Sequence, residues 1–335
     1  MVKWCVIGAG GIADRRAIPA LLKDKNNCLV AIMERVPELA EELGRKYGVP
    51  FFTDEREMLS SVECDAVYIG TPVACHKAQA ETVLEFGKHL FVEKPMGING
   101  DECAELLEKY KAKSLQLTVG YMMGYHNLHV KAKELIRSGG VGKVNDLRVQ
   151  FGCYYPKIEG AWRQNRSLSG GGVIMDLGVH CIELCEYLLD EEIVDVKSFY
   201  STRAFNYEVE DSGIVIFRTE SGILGHIDVN FNLPDATESK VEIYGTEGYI
   251  IAKGTLAQEE VGTLSYLYSP QGGYDAAQSA VESEPQIFAA EGEDIYLRQI
   301  RDFCRMVESG APEYDKTERA VRVQRTIDKI YADGR

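Results

Sequence analysis

The sequence predicts an α/β fold in two parts. Residues 1–121 read as a parallel, doubly wound sheet, and residues 122–335 as an α+β unit on a large, mostly antiparallel open sheet. Three observations carry this prediction. Short apolar runs alternate with helix-period stretches through the first 120 residues, a glycine-rich turn follows the first of those runs, and β-branched, alternating segments dominate from residue 194 to residue 252. At 335 residues the chain is long enough for two domains with separate cores.

Strands are predicted at 3–8, 29–34, 65–70, 90–93 and 115–120, with helices at 12–23, 37–47, 76–86 and 101–111 between them. Pro37 stands just inside a helix start, and Gly48 and Gly87 stand just past helix ends, where a left-handed residue is needed. Strands alternating with helices of this length imply a sheet covered on both faces and wound with right-handed crossovers, a Rossmann-like arrangement. Beyond residue 120 the rhythm changes. A helix at 127–138 is stopped by Gly139-Gly140, a strand follows at 143–153, and a Gly-rich turn launches a helix at 173–189. Strands are then expected at 194–204, 213–219, 223–231, 240–244 and 249–252, separated by turn dipeptides such as Ser221-Gly222 and Glu247-Gly248. That pattern fits an antiparallel sheet. Helices at 294–309 and 317–332 close the chain, the last expected to pack back on the first domain.

A formal net charge of −15 argues against a nucleic-acid partner, because phosphate-backbone binders carry a basic footprint. No run of about twenty apolar residues is present to span a bilayer. The first strand begins too early for a secretion signal to precede it, so a cytoplasmic location is expected. The nine cysteines include no C-x-x-C pair, and Cys181 and Cys185, four apart, have no nearby His or Cys to complete a tetrad. No acidic or histidine cluster has ligand spacing either, so no metal is expected.

In Gly8-x-Gly10-x-x-Ala13 the first glycine permits a tight strand-to-helix turn and the second lets a pyrophosphate approach the backbone. Ala13 keeps the helix close to the strand, and Gly11 and Ile12 open a helix whose free N–H groups favour phosphate. Glu34 ends the second strand about twenty residues later, the spacing of an acid that bonds the adenine ribose hydroxyls. The cofactor expected is NAD. NADP stays possible, because Arg35 could stack on adenine or pair with a 2′-phosphate.

Lys94, between Glu93 and Pro95, directly follows a strand, and strand C-termini line the ligand crevice of a doubly wound sheet. An ammonium there could donate to a substrate oxygen and stabilise alkoxide character. Asp176 and His180 lie four apart on the helix after Gly170-Gly171-Gly172, so they share a face, and His180 is a general-base candidate. A lysine, an aspartate and a histidine around a nicotinamide ring would suffice for alcohol–ketone chemistry.

Taken together these residues resemble the Gfo/Idh/MocA oxidoreductase family over nearly the whole chain. The matching positions are Gly8-Ala9-Gly10-Gly11-Ile12-Ala13, Glu34-Arg35, Gly70-Thr71-Pro72 with His76, Glu93-Lys94-Pro95, Gly171-Gly172 through Asp176, Gly178 and His180, and Ile330-Tyr331. The resemblance implies a Rossmann domain, then an α/β domain whose open sheet forms an oligomer interface, so a homo-oligomer is expected. It also implies that Lys94 holds the reacting hydroxyl, His180 takes or returns its proton, and Asp176 orients substrate and tunes the histidine. Thr71, Pro72 and His76 would lie near the cofactor, with Glu93 beside the nicotinamide ribose. Trp162-Arg163 resembles a pair that reaches cofactor or substrate in some members.

The chain departs from the family at Met123-Gly124, where many members carry arginine, and Tyr121, Tyr125 and His126 are expected to line the pocket instead. Glu183 stands where the family has Asp. The activity implied is hydride transfer between NAD(P) and a secondary alcohol or ketone of a sugar, inositol or related polyol. The resemblance leaves two other readings open: an NAD-dependent glycosidase acting by transient oxidation, and a non-enzymatic NAD- or sugar-sensing regulator.

Overall fold

The computed structural model describes residues 1–234, 237–270, 273, 276–277 and 283–334. Its first half alternates β1 (Val2–Ile7), α1 (Ile18–Lys23), β2 (Asn27–Met33), α2 (Pro37–Tyr47), β3 (Phe51–Phe52), α3 (Glu55–Ser61), β4 (Ala66–Ile69), α4 (Val73–Glu85), β5 (His89–Val92), α5 (Gly100–Ala112) and β6 (Leu117–Val119). All six strands are parallel, in the order β3-β2-β1-β4-β5-β6. Such an order puts a switch point between β1 and β4, and ligands bind outside the strand C-termini there.

Local chemistry explains the boundaries. Pro37 is the first residue of α2, and Gly48 ends it in the left-handed conformation, φ 68°. Helix α4 starts at Val73, three residues before the predicted start, because Pro72 supplies a fixed φ at the cap position. In this half β3 and α3 were not predicted. Strand β3 has only two residues, too few for a period. Helix α3 begins where the Asp54 carboxylate accepts from the Glu57 N–H at 2.9 Å, a side-chain cap.

The second half comprises α6 (Asn127–Arg137), β7 (Val144–Gly152), α7 (Arg166–Ser169), α8 (Val179–Leu189), β8 (Ile193–Ser201), β9 (Ser212–Thr219), β10 (Leu224–Asn230), β11 (Lys240–Gly245), β12 (Gly248–Lys253), β13 (Thr263–Tyr268), β14 (Gln286–Ala289), α9 (Ile295–Ser309) and α10 (Asp315–Asp333). Its eight strands run in the order β14-β13-β12-β11-β7-β10-β9-β8. Every neighbouring pair is antiparallel except β7 with β10, which are parallel at the centre. Because β7 and β10 run the same way, both deliver their C-terminal ends to one edge of the domain. That edge faces the first sheet.

Helices α6 and α8 pack on the inner face of this sheet, with α10 against β8. Helix α10 also packs on α5, and α9 packs on α1 and β1. The Phe303 ring of α9 lies 4.9 Å from that of Trp4 and 5.7 Å from that of Phe91, centroid to centroid. The outer face follows the two-residue period of a strand. Along β9, Val215 and Phe217 are buried while Ile214 and Ile216 are exposed.

Candidate active site

A cavity of about 350 Å³ lies between the two sheets, and the C-terminal ends of β4 and β5 reach it through Gly70, Thr71, Glu93 and Lys94. The first glycine turn stands beside it. Gly8 is left-handed at φ 74°, and a Cβ there would lie 2.6 Å from the Thr71 methyl and 2.9 Å from the Thr71 nitrogen. Only glycine lets the two turns touch. The helix that follows is π-helical over Ala13–Ala17 before α1 resumes. The Glu34 carboxylate accepts from the Gly10 N–H at 3.2 Å and from the Arg35 N–H at 2.9 Å, which holds an acid at the end of β2 beside the turn. Arg35 is exposed. An open, left-handed Gly11 with nothing within 4 Å of its missing Cβ completes a cradle that fits a dinucleotide.

Glu93 and Lys94 occupy the bend after β5. The Tyr68 hydroxyl donates to Glu93 at 2.6 Å, and burial pushes the Glu93 carboxyl up. The Lys94 ammonium reaches across to the second half of the chain. Its Nζ lies 2.7 Å from Asp176 Oδ1 and 2.7 Å from the Asp176 carbonyl oxygen. The two side chains are only 12% and 20% exposed, so this is a substantially buried charge pair. Arg163, stacked on the Trp162 ring at 4.4 Å, adds a contact to Asp176 Oδ1 at 3.4 Å. Burial pushes the Asp176 carboxyl up, yet Lys94 and Arg163 outweigh it and hold the acid ionised, well below the usual carboxylate range.

His180 lines the same cavity. Its ring meets those of Tyr121 and Phe151 edge-on, at centroid distances of 6.0 and 6.5 Å, and its Nδ1 is buried without a partner. Burial, reinforced by Lys94, drives its pKa well below the ordinary histidine value against the pull of Asp176. A histidine held neutral in this way is competent to accept a proton at neutral pH.

The helix carrying these groups is shaped by its start. Ile174–Gly178 is π-helical before α8 resumes, so an extra residue enters the turn that bears Asp176. The Glu210 carboxylate caps that start, accepting from Gly172 N–H at 2.9 Å, Ile174 N–H at 3.2 Å and the Tyr331 hydroxyl at 2.7 Å. A negative charge there also complements the helix dipole.

The cavity therefore brings together Ile12, Thr71, Glu93, Lys94, Trp162, Arg163, Asp176 and His180. Pro72 and His76 stand outside the lining. The His76 ring lies between the Thr71 carbonyl at 2.8 Å and the Pro95 carbonyl at 2.9 Å, and its single N–H donates to one of them, which places it between the turns after β4 and β5. Three expected substrate residues are placed elsewhere. Tyr121 lies behind His180, and it shares with Tyr125 a separate cavity of about 130 Å³ that also includes Glu183 and Arg319. The Tyr125 hydroxyl donates to Asp302 at 2.7 Å. His126 accepts from the Leu128 N–H at 3.2 Å as the cap of α6, and its other ring nitrogen meets the Val261 carbonyl at 2.9 Å.

Sequence reasoning missed the far wall, where Phe151, Tyr155, Phe231, Leu256 and Gln258 complete the cavity. None belongs to a motif. It also missed Glu210, which Tyr331, in the quoted C-terminal pair, would have pointed to only through the fold.

Buried histidines set an acid limit on stability. His76, His126, His129 and His180 are all buried, and burial lowers the pKa of each, that of His129 to about 3. Below about pH 6.5 the unfolded chain gains protons that the native chain refuses, so their stability contribution is intact above that value and is lost as pH falls. Stability should therefore fall between about pH 7 and pH 5.5. A melting temperature that stays flat across that window would contradict this account.

A glycine cradle at the switch point of a parallel sheet, an acid after β2 and a buried lysine–aspartate–histidine group define a nicotinamide-dependent oxidoreductase. Residues 2–121 match the family described as "Oxidoreductase family, NAD-binding Rossmann fold", and residues 129–251 match the "GFO/IDH/MocA C-terminal domain". The chain belongs to the Gfo/Idh/MocA oxidoreductase family. An oxidoreductase of Formosa agariphila is 31% identical over 258 residues, covering 74% of this chain and 78% of its own. The scyllo-inositol 2-dehydrogenase (NAD(+)) of Bacillus subtilis is 26% identical over 92% of this chain and 87% of its own. Among solved structures, GenD2 from gentamicin A biosynthesis in complex with NAD superposes with a TM-score of 0.84 at 26% identity, covering 99% of this chain and 93% of that one. Helices long and apolar enough to cross a membrane are absent among the described residues.

Proposed function

We propose that the protein transfers hydride between NAD(P) and a secondary alcohol or ketone of a sugar, inositol or related polyol. Residues 1–121 hold the cofactor and residues 122–335 supply most of the substrate wall. The observation that carries this reading is the bond from Lys94 to Asp176 at 2.7 Å, beside a histidine that burial keeps neutral. Bound nicotinamide supplies or accepts the hydride. Lys94 donates to the reacting oxygen, His180 takes the hydroxyl proton in oxidation and returns it in reduction, and Asp176 fixes the ammonium between them. The inositol dehydrogenase among the relatives supports this substrate range. Mixing purified protein with NAD or NADP and a panel of sugars, inositols and keto-sugars tests it through the absorbance of reduced nicotinamide. Silence across the panel despite NADH binding would overturn it.

The preferred cofactor in this reading is NAD, supported by Glu34 at the end of β2. Glu34→Ala should raise the KM for NAD by about tenfold, the loss of one charge-assisted hydrogen bond, and lower that for NADP. An unchanged NAD/NADP ratio in that variant would remove Glu34 from cofactor selection.

A homo-oligomer and a cytoplasmic location belong to the same proposal. Buried thiols at Cys5, Cys64, Cys103, Cys181, Cys185 and Cys304 fit a reducing compartment. On the outer face of the second sheet Phe199 is 79% exposed and lies opposite Ile214, with Ile216 at 55% and Leu224 at 59% nearby. An apolar patch of that kind on a regular sheet is suited to a second copy of itself. Ile216→Glu should reduce the mass measured by light scattering to that of one chain while the fold persists. A wild-type monomer would refute the assembly outright.

A further inference from the structure

We infer that Glu183 is a positioning residue for His180. From a second cavity behind the active site it keeps the ring's own proton on Nδ1, so that Nε2 is free to take the proton of the substrate hydroxyl. This rests on the reading of Lys94, Asp176 and His180 as a hydride-transfer site and adds a residue to it.

The inference comes from two orphaned atoms. Among the described residues, six buried side-chain nitrogen or oxygen atoms have no hydrogen-bond partner. Two of them are His180 Nδ1 and Glu183 Oε2. Both side chains belong to α8, and residues three apart on a helix lie one above the other on the same face. Asp176, the acid on the other side of the histidine, is engaged by Lys94 and Arg163.

A neutral histidine that accepts through one ring nitrogen must carry its proton on the other. Nδ1 is the buried nitrogen, which leaves Nε2 for the substrate. A buried N–H at Nδ1 that finds no acceptor costs about 1–3 kcal/mol, enough to favour the tautomer that cannot act as base. An acceptor behind the ring reverses that preference, and a charged one also stabilises the imidazolium that forms in oxidation.

The second cavity brings such an acceptor within reach. Tyr121 stands edge-on to His180 and lines the cavity of about 130 Å³ together with Glu183 and Arg319. Burial, and then the Glu183 charge, push the Tyr121 hydroxyl up, so the two side chains are close neighbours. Arg319 Nε donates to Glu183 Oε1 at 2.9 Å, which fixes the carboxylate and leaves Oε2 to accept. Burial pushes the Glu183 carboxyl up, while Arg319, Lys316 and Lys133 pull it toward the charged form. The volume is ample for a water, which needs about 15 Å³ and two to four polar partners. Nδ1–H, Oε2 and the Tyr121 hydroxyl supply three.

Two measurements test this. Histidine labelled with heavy nitrogen reports its tautomer by NMR, the His180 signals being identified by their loss in His180→Asn. In the wild-type protein the proton should reside on Nδ1 at neutral pH. Glu183→Gln keeps an acceptor for Arg319 and removes the charge. Its kcat on the best substrate of the sugar and inositol panel should fall about 10- to 100-fold with the KM for NAD unchanged, and Glu183→Asp should return kcat to within about threefold of wild type. A wild-type proton on Nε2, a result that needs no folded variant, would overturn the assignment, as would a wild-type kcat in Glu183→Gln. Either outcome leaves the oxidoreductase reading standing, since that reading falls on silence across the panel while the tautomer is read without substrate.

Discussion

Replacing Lys94 with alanine is expected to lower kcat by about a thousandfold, the usual range for removing one preorganised donor at a developing oxyanion. NADH affinity should stay within about threefold, because the glycine cradle and Glu34 are left in place. The change also strips Asp176 of its nearest cation, 2.7 Å away, leaving Arg163 at 3.4 Å as its remaining charged partner. Breaking a buried pair by removing one member costs about 3–5 kcal/mol, since an uncompensated charge stays behind. The carboxyl pKa of Asp176 should therefore rise, and the variant should lose stability at neutral pH along with activity. Lys94→Ala, Asp176→Asn double replacement should recover part of that stability without recovering turnover. A single variant that turns over at the wild-type rate would take Lys94 out of the mechanism.

The second large effect is structural. Gly172→Ala would place a Cβ on the Glu210 carbonyl oxygen and 2.8 Å from the Glu210 nitrogen, both main-chain atoms that cannot swing aside. That main chain is itself bonded in, with Val173 N–H donating to the Glu210 carbonyl at 3.0 Å. The turn must open, and the bonds from Gly172 and Ile174 to the Glu210 carboxylate go with it. Overpacking and a lost helix cap together should cost about 2–4 kcal/mol. The π-helical turn bearing Asp176 would shift as well, so turnover should fall more than stability alone accounts for. Gly124→Ala is the control: the nearest atom to its Cβ is on the Tyr187 ring at 3.5 Å, ordinary contact. Equal denaturation midpoints for the two variants would refute this account of the turn.

These two residues mark how far the chain could be read before folding. Gly172 is recognisable as part of a glycine-rich helix start, but the reason it must be glycine is Glu210, 38 positions away. Lys94 announces itself by following a strand in a parallel sheet, while its partner Asp176 is 82 positions away. Short-period patterns named both residues, and only the tertiary structure, which brings the turn before α8 to the bend after β5, named the bond.

Where the structure places expected pocket residues elsewhere, the cause is chain direction. Tyr121, Tyr125 and His126 follow the last strand of the parallel sheet, as a pocket-lining segment would. A tight turn at Met123–Tyr125 carries Met122 and Met123 into the main cavity and turns Tyr121 and Tyr125 toward the smaller one. His126 is spent on capping α6. Residues with no motif took the expected place, because the parallel pairing of β7 with β10 brings Phe151 and Phe231 to the same edge.

The sequence by itself determined the parallel half, its glycine cradle and the identities of Lys94, Asp176 and His180, because those depend on strand and helix periods and on turns a few residues long. Tertiary structure alone decided the apolar far wall, the Glu210 clamp and the neutrality of His180. Each of these depends on which distant strands become neighbours and how much water they exclude, and burial is a property of the assembled layers that no local run of residues encodes.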